Sequence, residues 1–590
     1  MNREEMRRFV RRSYLSPPRY REAVVNGVPV AGLPENYKEI QTLRELLEIC
    51  YKEVDVREQV RRNLIAKRRA GENPYPGIIG YDEDVLDVIP SLDRALLAGH
   101  NIIFVGEVGQ AKTRLAETIA RELLSPTPAI AGCIIHDNPL SLPLEELLML
   151  LEGKHPPHSS LEFHICSDCE ERIIEDGLDT PIRWVEGRER YQYVLATPDI
   201  SVKDLVGYID AVRMTKKGAE IYSLKSYSPG RLLEARYGIL CIDELPVLDP
   251  RRQVTLLSVL QEGKFTTGTY PVIFKPKLML IATANPIDYT HVGRFIEPLE
   301  DRIETHIRTH YLGDNVWKSS SSTRSHRKFE RNERALINEM LIVLQEVEPR
   351  IRADAFIPLY ILEIVTRIVQ MARAHPDIDK VRRVSIRMAI HGLEVIVSEA
   401  ERTRYVCYDK RPIPRICEVP VIHQVSKIKL GEIEDTEENR RKLLDEVIRS
   451  AVREVSLNYL KLVGEKSIKE IADDFAGGKV FEVSSLKPSC AYRNRGAMKG
   501  CEIPGEDYIT QLEGFPALKG AVERLVDILR EKHRKFEGYA KLYGVPSRLI
   551  HFSEPVDDEL IASVTELILE GLYWMAVSYT HLTLPTTERV

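Results

Sequence analysis

The sequence has no apolar stretch long enough to span a membrane, and its first residues lack the pattern of a secretory signal peptide. It contains nine cysteines, which we expect to stay reduced in a protein without such a signal. No convincing internal repeat is present. These absences predict a cytoplasmic protein that has no membrane partner.

An excess of positive charge is also missing. The chain has 83 Lys and Arg residues against 89 Asp and Glu residues, a formal net charge of −6, and an isoelectric point near 6.3. Proteins that bind nucleic acid or anionic membranes through their overall charge are basic. Nucleic acid is therefore not an expected partner.

What the sequence does contain is a phosphate-binding pattern. An apolar segment at residues 102–105 is followed by Gly106, Glu107, Val108, Gly109, Gln110, Ala111, Lys112 and Thr113, and then by an amphipathic helical pattern. Backbone N–H groups of such a loop, together with the amino end of the next helix, bind phosphate groups. We expect Lys112 to reach the β- and γ-phosphates of ATP and the Thr113 hydroxyl to ligate Mg²⁺. Ala111 stands where glycine usually precedes the lysine, and we expect its methyl group to fit.

Two more apolar segments end in polar residues. Residues 238–242 lead into Asp243 and Glu244, and residues 277–284 lead into Asn285. Parallel strands present their carboxyl ends at one edge of a sheet, where ligands bind. We expect Asp243 to hold Mg²⁺ through water, Glu244 to polarise the attacking water, and Asn285 to orient that water. The alternative is that the acids cap a helix and that Asn285 is a turn residue.

These three segments, in this order, resemble the AAA+ ATPases, and more closely the branch of MoxR-type ATPases and the magnesium-chelatase ATPase subunit. The resemblance covers roughly residues 70–400 and includes matches at 76–84 and 228–238. A β-hairpin pattern at 263–274 stands where this branch has its pore-side hairpin. The resemblance implies an α/β fold: an AAA+ P-loop NTPase core with a parallel sheet between helices, followed by a helical lid.

The same resemblance assigns further residues and partners. Ile78 and Ile79 would face adenine, Arg302 would be the arginine finger supplied to the ATP of a neighbouring subunit, and Arg387 would be the second sensor arginine. Arg294 is a weaker candidate for the finger. A surface ion pair is the alternative for Arg302, and a solvated helix terminus is the alternative for Arg387. The resemblance also implies a ring homo-oligomer, expected to be a hexamer, and a protein partner with a von Willebrand A domain.

A separate pattern predicts a structural Zn²⁺ ion. Cys133 and His136, and Cys166 and Cys169, form two pairs that each have two intervening residues, the spacing of tetrahedral zinc sites. The pairs lie in an insert at about residues 129–190, which would bury little core without a metal. His155, His158 or His164 could replace His136, and the alternative is a group of free thiols.

The 590 residues, 43% of them apolar, allow several domains. We predict a helical segment at 1–70, the ATPase core at 71–315, a helical lid at 325–405 and a mainly helical C-terminal region at 406–577. Residues 578–590 do not continue the preceding helix and have the character of a non-native tail.

The predicted function is an ATP-hydrolysing AAA+ motor or chaperone of MoxR type that remodels a protein partner. The alternatives are an ATPase subunit of a metal chelatase, a DNA-translocating ring, and a nucleotide-gated scaffold that barely turns ATP over.

Overall fold

The computed structural model describes a chain of two units, Met1–Tyr311 and Leu312–Val590. The described residues are 2–82, 84–156, 162–209, 227–264, 273–286, 296–312, 324–379, 383–405, 408–431, 434–475, 479–484, 503–553 and 555–578. Residues 265–272 of the predicted hairpin, Arg294, His158 and residues 579–590 of the predicted tail lie outside this set. Among the described helices, none is both long and apolar enough to cross a membrane.

The described part of the first unit contains both strands and helices. Its strands are β1 (Glu22–Val25), β2 (Val28–Pro34), β3 (Ile102–Val105), β4 (Thr127–Ile130), β5 (Glu162–Phe163), β6 (Ile182–Val185), β7 (Tyr191–Leu195), β8 (Tyr208–Ile209), β9 (Tyr227–Ser228), β10 (Ile239–Asp243), β11 (Ile273–Phe274), β12 (Met279–Ala284) and β13 (Thr305–Arg308). Its helices are α1 (Arg3–Leu15), α2 (Leu43–Glu48), α3 (Val56–Ala70), α4 (Val88–Ala98), α5 (Lys112–Leu123), α6 (Leu144–Leu151), α7 (Ser167–Asp176), α8 (Val202–Val206), α9 (Arg231–Glu234), α10 (Pro250–Glu262) and α11 (Glu297–Glu300).

A parallel sheet forms the centre of this unit. Its described strands lie in the order β13-β3-β12-β10-β7, and each neighbouring pair is parallel. Every residue of β12 is buried, as are the first four of β10, which is why these strands are continuous apolar runs. The carboxyl ends of β3, β10 and β12 therefore meet at one edge, and the predicted α/β fold class, a parallel sheet between helices, is confirmed.

The N-terminal segment differs from its prediction. Residues 1–70 contain α1, α2 and α3 as expected, but β1 and β2 form an antiparallel hairpin between them. Asn26 and Gly27, at the turn, have φ of 52° and 83°. An Asn-Gly pair readily adopts these angles, which match the twist of a two-residue hairpin.

The cysteine-containing insert follows α5. Antiparallel pairing of β4 with β6 closes it, and α6 and α7 lie between these strands in sequence. The side chains of α1, α2, α6 and α7 share one hydrophobic cluster, which includes Leu43, Leu147 and Ile173. The insert thus buries its apolar residues together with those of the N-terminal segment.

The second unit is mainly helical, as predicted. Its principal helices are α12 (Arg324–Val347), α13 (Leu359–Ala374), α14 (Arg387–Ala400), α15 (Glu437–Val463), α16 (Glu465–Phe475), α17 (Gly505–Leu512), α18 (Pro516–Leu542) and α19 (Asp558–Ser578). The boundary predicted inside this unit, near residue 405, stays a prediction.

Candidate nucleotide-binding site

The loop between β3 and α5 has a backbone that requires small residues. A Cβ atom on Gly106 would lie 2.0 Å from Oγ1 of Thr309 and 2.2 Å from Oε1 of Gln110, so no side chain fits there. Gly109 has a φ of 84° and Ala111 has a φ of 54°. Residues other than glycine adopt the left-handed region at a cost, so Ala111 has a strained backbone angle.

Lys112 is the first residue of α5, and its ammonium group points back into the loop. Nζ donates hydrogen bonds to the carbonyl oxygens of Gly106 and Glu107, the second at 2.7 Å. The positive charge therefore lies among the backbone groups of the loop at the amino end of a helix. An anion bound there would be stabilised by both the cation and the helix dipole.

Asp243, the last residue of β10, lies beside Thr113. The Thr113 hydroxyl donates to Oδ1 of Asp243 at 3.2 Å, and the Thr283 hydroxyl donates to the same oxygen. Tyr193 donates its hydroxyl proton to Oδ2 at 2.8 Å. The pKa of Tyr193 is raised, mainly by burial and secondly by this hydrogen bond to the carboxylate. The structure thus brings together the hydroxyl and the carboxylate that were predicted to hold Mg²⁺, a cation that prefers oxygen ligands.

Glu244 and Asn285 lie at the same edge of the sheet. Glu244 follows β10 directly, with a φ of 55°, and its backbone N–H donates to Oγ1 of Thr283 at 3.0 Å. Asn285 follows β12, whose last residue, Ala284, is in register with Val105 at the end of β3. Both predicted water-handling residues are therefore placed next to the phosphate loop by the ends of adjacent strands.

Several hydroxyl groups that sequence reasoning missed hold the loop in place. Tyr81 donates to the carbonyl of Gln110 at 3.0 Å, and Tyr311 donates to the carbonyl of Val108 at 2.8 Å. Oε1 of Gln110 accepts from Oγ1 of Thr309 at 2.7 Å and from the N–H of Glu107 at 3.0 Å. No local sequence signal marks these contacts, because Tyr81 and Tyr311 are distant from the loop in sequence.

The residues assigned by resemblance lie in different places. Ile78 and Ile79 are buried, 7% and 3% exposed, on the chain just before Tyr81. Arg302 lies in the turn before β13, and its Nη1 donates to the carbonyl of Pro298 at 2.8 Å. Arg387 begins α14 in the second unit. The roles given to these residues stay predictions.

The cysteine cluster of the insert forms with one change from the predicted set. Sulfur atoms of Cys133, Cys166 and Cys169 lie within 4.8 Å of one another and of a carboxylate oxygen of Asp137. His136, predicted as the fourth member, is not part of this group. Its backbone is left-handed, with a φ of 55°, and the next residue, Asp137, contributes its carboxylate to the group instead. His155 and His164 are also not in the group.

The chain is similar in sequence to proteins of known name. The chain is 28% identical over 221 residues to the magnesium-chelatase 67 kDa subunit of Heliobacterium mobile, an alignment that covers 36% of this chain and 28% of that protein. It is 23% identical over 284 residues to the magnesium-chelatase 38 kDa subunit of Chlorobaculum parvum, covering 48% of this chain and 71% of that one. Over part of its length, the chain is similar to magnesium-chelatase subunits. The resemblance to that branch of the AAA+ ATPases is thus confirmed.

The chain is also similar to an uncharacterized protein and to solved structures. Uncharacterized protein YeaC of Bacillus subtilis is 27% identical over 194 residues, which is 32% of this chain and 55% of YeaC. The chain thus spans about half of YeaC and 28% of the 67 kDa subunit. A cryo-EM-based structure of the complex between subunits BchI and BchD of magnesium chelatase aligns with 62% of this chain and 98% of that one, at 17% identity and a TM-score of 0.27. No protein-family model matches the chain.

Proposed function

We propose that this AAA+ relative hydrolyses ATP and uses the reaction to remodel a protein partner. One observation carries the proposal: the Thr113 hydroxyl lies 3.2 Å from the Asp243 carboxylate, at the sheet edge where the phosphate loop begins. A lysine, a hydroxyl and two acids at this edge form a set suited to a nucleoside triphosphate with Mg²⁺.

Each polar residue of the site has a proposed role in ATP hydrolysis. When ATP binds, the ammonium group of Lys112 leaves the carbonyl oxygens of the loop and binds the β- and γ-phosphates. The backbone N–H groups of the loop bind the same phosphates. Thr113 and Asp243 hold Mg²⁺, which neutralises phosphate charge when bound. Glu244 accepts a proton from the attacking water, and Asn285 orients that water.

The polarity of the sheet supports a ring. Arg302 precedes the amino end of β13, where Thr305 is in register with Ile102 of the parallel strand β3. The phosphate loop instead follows the carboxyl end of β3. A four-residue strand, about 13 Å long, therefore separates Arg302 from the phosphate loop of its own chain. An arginine finger at this position suits a neighbouring subunit, which favours a homo-oligomeric ring, proposed as a hexamer with Arg387 as a second sensor.

A second candidate function is that of a subunit in a metal chelatase. Similarity to two proteins named as magnesium-chelatase subunits favours it. This chain departs from a minimal chelatase subunit in two regions, the cysteine-containing insert and the long helical region beyond residue 405. We therefore favour a protein client, proposed to have a von Willebrand A domain and to share a cytoplasmic location.

Substitution of the acid separates a motor from a nucleotide-gated scaffold. We expect Glu244→Gln to retain Mg²⁺-dependent ATP binding while its hydrolysis rate falls at least about 100-fold, because the base for water is lost. Lys112→Ala should lose binding itself, and the exposed Glu58→Gln is the matched control. ATP binding by direct titration and phosphate release are the measurements. If the parent chain has no Mg²⁺-dependent affinity for adenine nucleotides, the proposed function is wrong.

Mixing two inactive variants tests the ring. Arg302→Ala retains a complete phosphate loop, and Lys112→Ala retains the arginine, so a ring containing both has some complete sites. We expect each variant alone to be inactive and the mixture to recover part of the ATPase activity. No recovery in rings shown to contain both chains would contradict action between subunits.

A further inference from the structure

The cysteine cluster of the insert is built from two separate segments. Cys133 lies in the turn after β4, whereas Cys166 and Cys169 lie at the amino end of α7, and all three sulfur atoms are within 4.8 Å of one another and of Asp137. Zn–S bonds of about 2.3 Å place the sulfur atoms of a tetrahedral site about 3.8 Å apart. We propose that Cys133, Cys166, Cys169 and Asp137 bind one structural zinc ion that joins the insert to the ATPase core.

The turn that carries Cys133 favours a thiolate. Gly132 and His136 both have left-handed backbones, with φ of 80° and 55°, so the chain folds back around the sulfur. The backbone N–H of Asp137 then donates to Sγ of Cys133 at 3.4 Å. A hydrogen bond to sulfur stabilises its charged form, which is the form that binds zinc.

The other two sulfurs are placed by the amino end of a helix. Cys166 is the N-cap residue of α7, a helix of ten residues, and Cys169 lies in its first turn. The amino end of a helix has a partial positive charge, which stabilises thiolates close to it. Two independent backbone features, the turn and the helix terminus, thus bring the three sulfur atoms to one point.

Asp137 is oriented as a metal ligand would be. Its Oδ1 pairs with Nη1 of Arg236 at 2.6 Å, and its Oδ2 accepts from the N–H of Cys166 at 2.7 Å. Each carboxylate oxygen retains a further lone pair, and outer-sphere partners of this kind orient ligands towards a metal. Asp137 is fully buried, so the pair with Arg236 is protected from water.

The position of the cluster explains why a metal would be structural. Cys133 and Cys166 pack against two hydrophobic clusters, one around the central sheet and one that includes α1, α2, α6 and α7. Arg236 also donates to the carbonyl of His164 at 2.6 Å, and it lies three residues before β10, the strand that ends in Asp243. Zinc would therefore fix the insert to the segment that enters the acidic strand.

Metal analysis of the purified full chain tests the ligand set. We expect about one zinc per chain in the parent and in two controls, His136→Gln and Cys50→Ser, the latter a buried cysteine outside the cluster. Cys166→Ser and Asp137→Asn should lose most of the zinc. Retention by Asp137→Asn together with loss by His136→Gln would overturn this ligand set, and iron in place of zinc would overturn the metal.

Thermal unfolding gives a readout that does not depend on ATPase activity. Exhaustive chelation should lower the unfolding temperature of the parent by several degrees, and added zinc should restore it, because metal binding contributes to folding. Cys166→Ser should not respond to the chelator. A parent chain without zinc, whose unfolding temperature the chelator leaves unchanged, would overturn the proposal while leaving the proposed ATPase function intact.

Discussion

The hydroxyl group of Thr283 accepts a hydrogen bond from the backbone N–H of Glu244 at 3.0 Å, and it donates its own proton to Asp243. One side chain on β12 thus links the two acids at the end of β10. Glu244 needs such a partner because its φ of 55° lies in the left-handed region, which is costly for glutamate. Thr283 acts on the proposed reaction through these neighbours, as a positioning residue.

Replacement of Thr283 by valine keeps the shape of the side chain and removes its hydroxyl. We expect kcat to fall roughly 10-fold with little change in KM, since a lost hydrogen bond of about 1–2 kcal/mol would loosen both acids. Thr283→Ser restores the hydroxyl and should recover most of kcat. Steady-state ATPase kinetics of the three proteins are the measurement, and equal kcat values for valine and threonine would contradict the assigned role.

Ala111 offers a test of backbone strain. Because its φ is 54°, Ala111→Gly should raise the free energy of unfolding of the first unit by up to about 1 kcal/mol. Ala116→Gly, in the interior of the same helix α5, is the matched control and should lower it by about 1 kcal/mol or more. Chemical denaturation measures both, and effects of the same sign would exclude the explanation from strain.

His533 predicts a pH dependence of stability in the second unit. Its Nε2 accepts from the N–H of Leu359 at 3.1 Å, and its Nδ1 lies 2.7 Å from the carbonyl of Ile550, an arrangement that a neutral ring satisfies. Burial lowers the pKa of His533 from 6.5 to about 4. Between these values the unfolded chain binds a proton that the folded chain does not, so the folded state loses stability as the pH falls.

The contribution is complete above pH 6.5 and is lost progressively as the pH falls to about 4. A shift of this size corresponds to about 3 kcal/mol in the free energy of unfolding. His533→Gln should be less stable at pH 7 and lose less on acidification than the parent. The exposed His551→Gln should follow the parent, and denaturation curves at pH 7 and 4.5 distinguish the cases. Parallel pH dependences for parent and His533→Gln would refute the assignment.

A buried ion network in the second unit gives a contrast between two glutamates. Oε2 of Glu559 lies 2.5 Å from Nη2 of Arg415 and 3.2 Å from Nε of Arg404, and all three side chains are at most 2% exposed. Glu559→Gln should cost about 3 kcal/mol, because two buried cations lose a shared anion. Glu506→Gln, which removes an exposed pair with Lys410, should cost less than about 1 kcal/mol. Similar losses in denaturation experiments would count against the network.

The sequence was informative where function depends on consecutive residues. Lys112 and Thr113 were predicted from the phosphate-loop pattern, and Asp243 from its place at the end of an apolar segment. The pairing of parallel strands then brings them together. Thr283 and Tyr193 were missed, since a hydroxyl on a strand has no distinctive local pattern, and their partner is reached only through sheet pairing.

The β1–β2 hairpin and the fourth member of the cysteine cluster also differ from the predictions. The β1–β2 hairpin had a usable signal, Asn26-Gly27 between apolar residues, which the helical periodicity around it obscured. The fourth position of the cysteine cluster could not be predicted from spacing. A single left-handed residue changes which of two adjacent side chains, His136 or Asp137, turns towards the sulfurs.

The placement of Arg302 before β13 and of the phosphate loop after β3 has a consequence for control. If each chain binds the phosphates at one face and presents Arg302 at the other, a monomer binds ATP but cannot hydrolyse it. Specific activity would then depend on protein concentration, and dilution alone would switch the reaction off. Oligomerisation would then regulate the ATPase activity even without a protein partner.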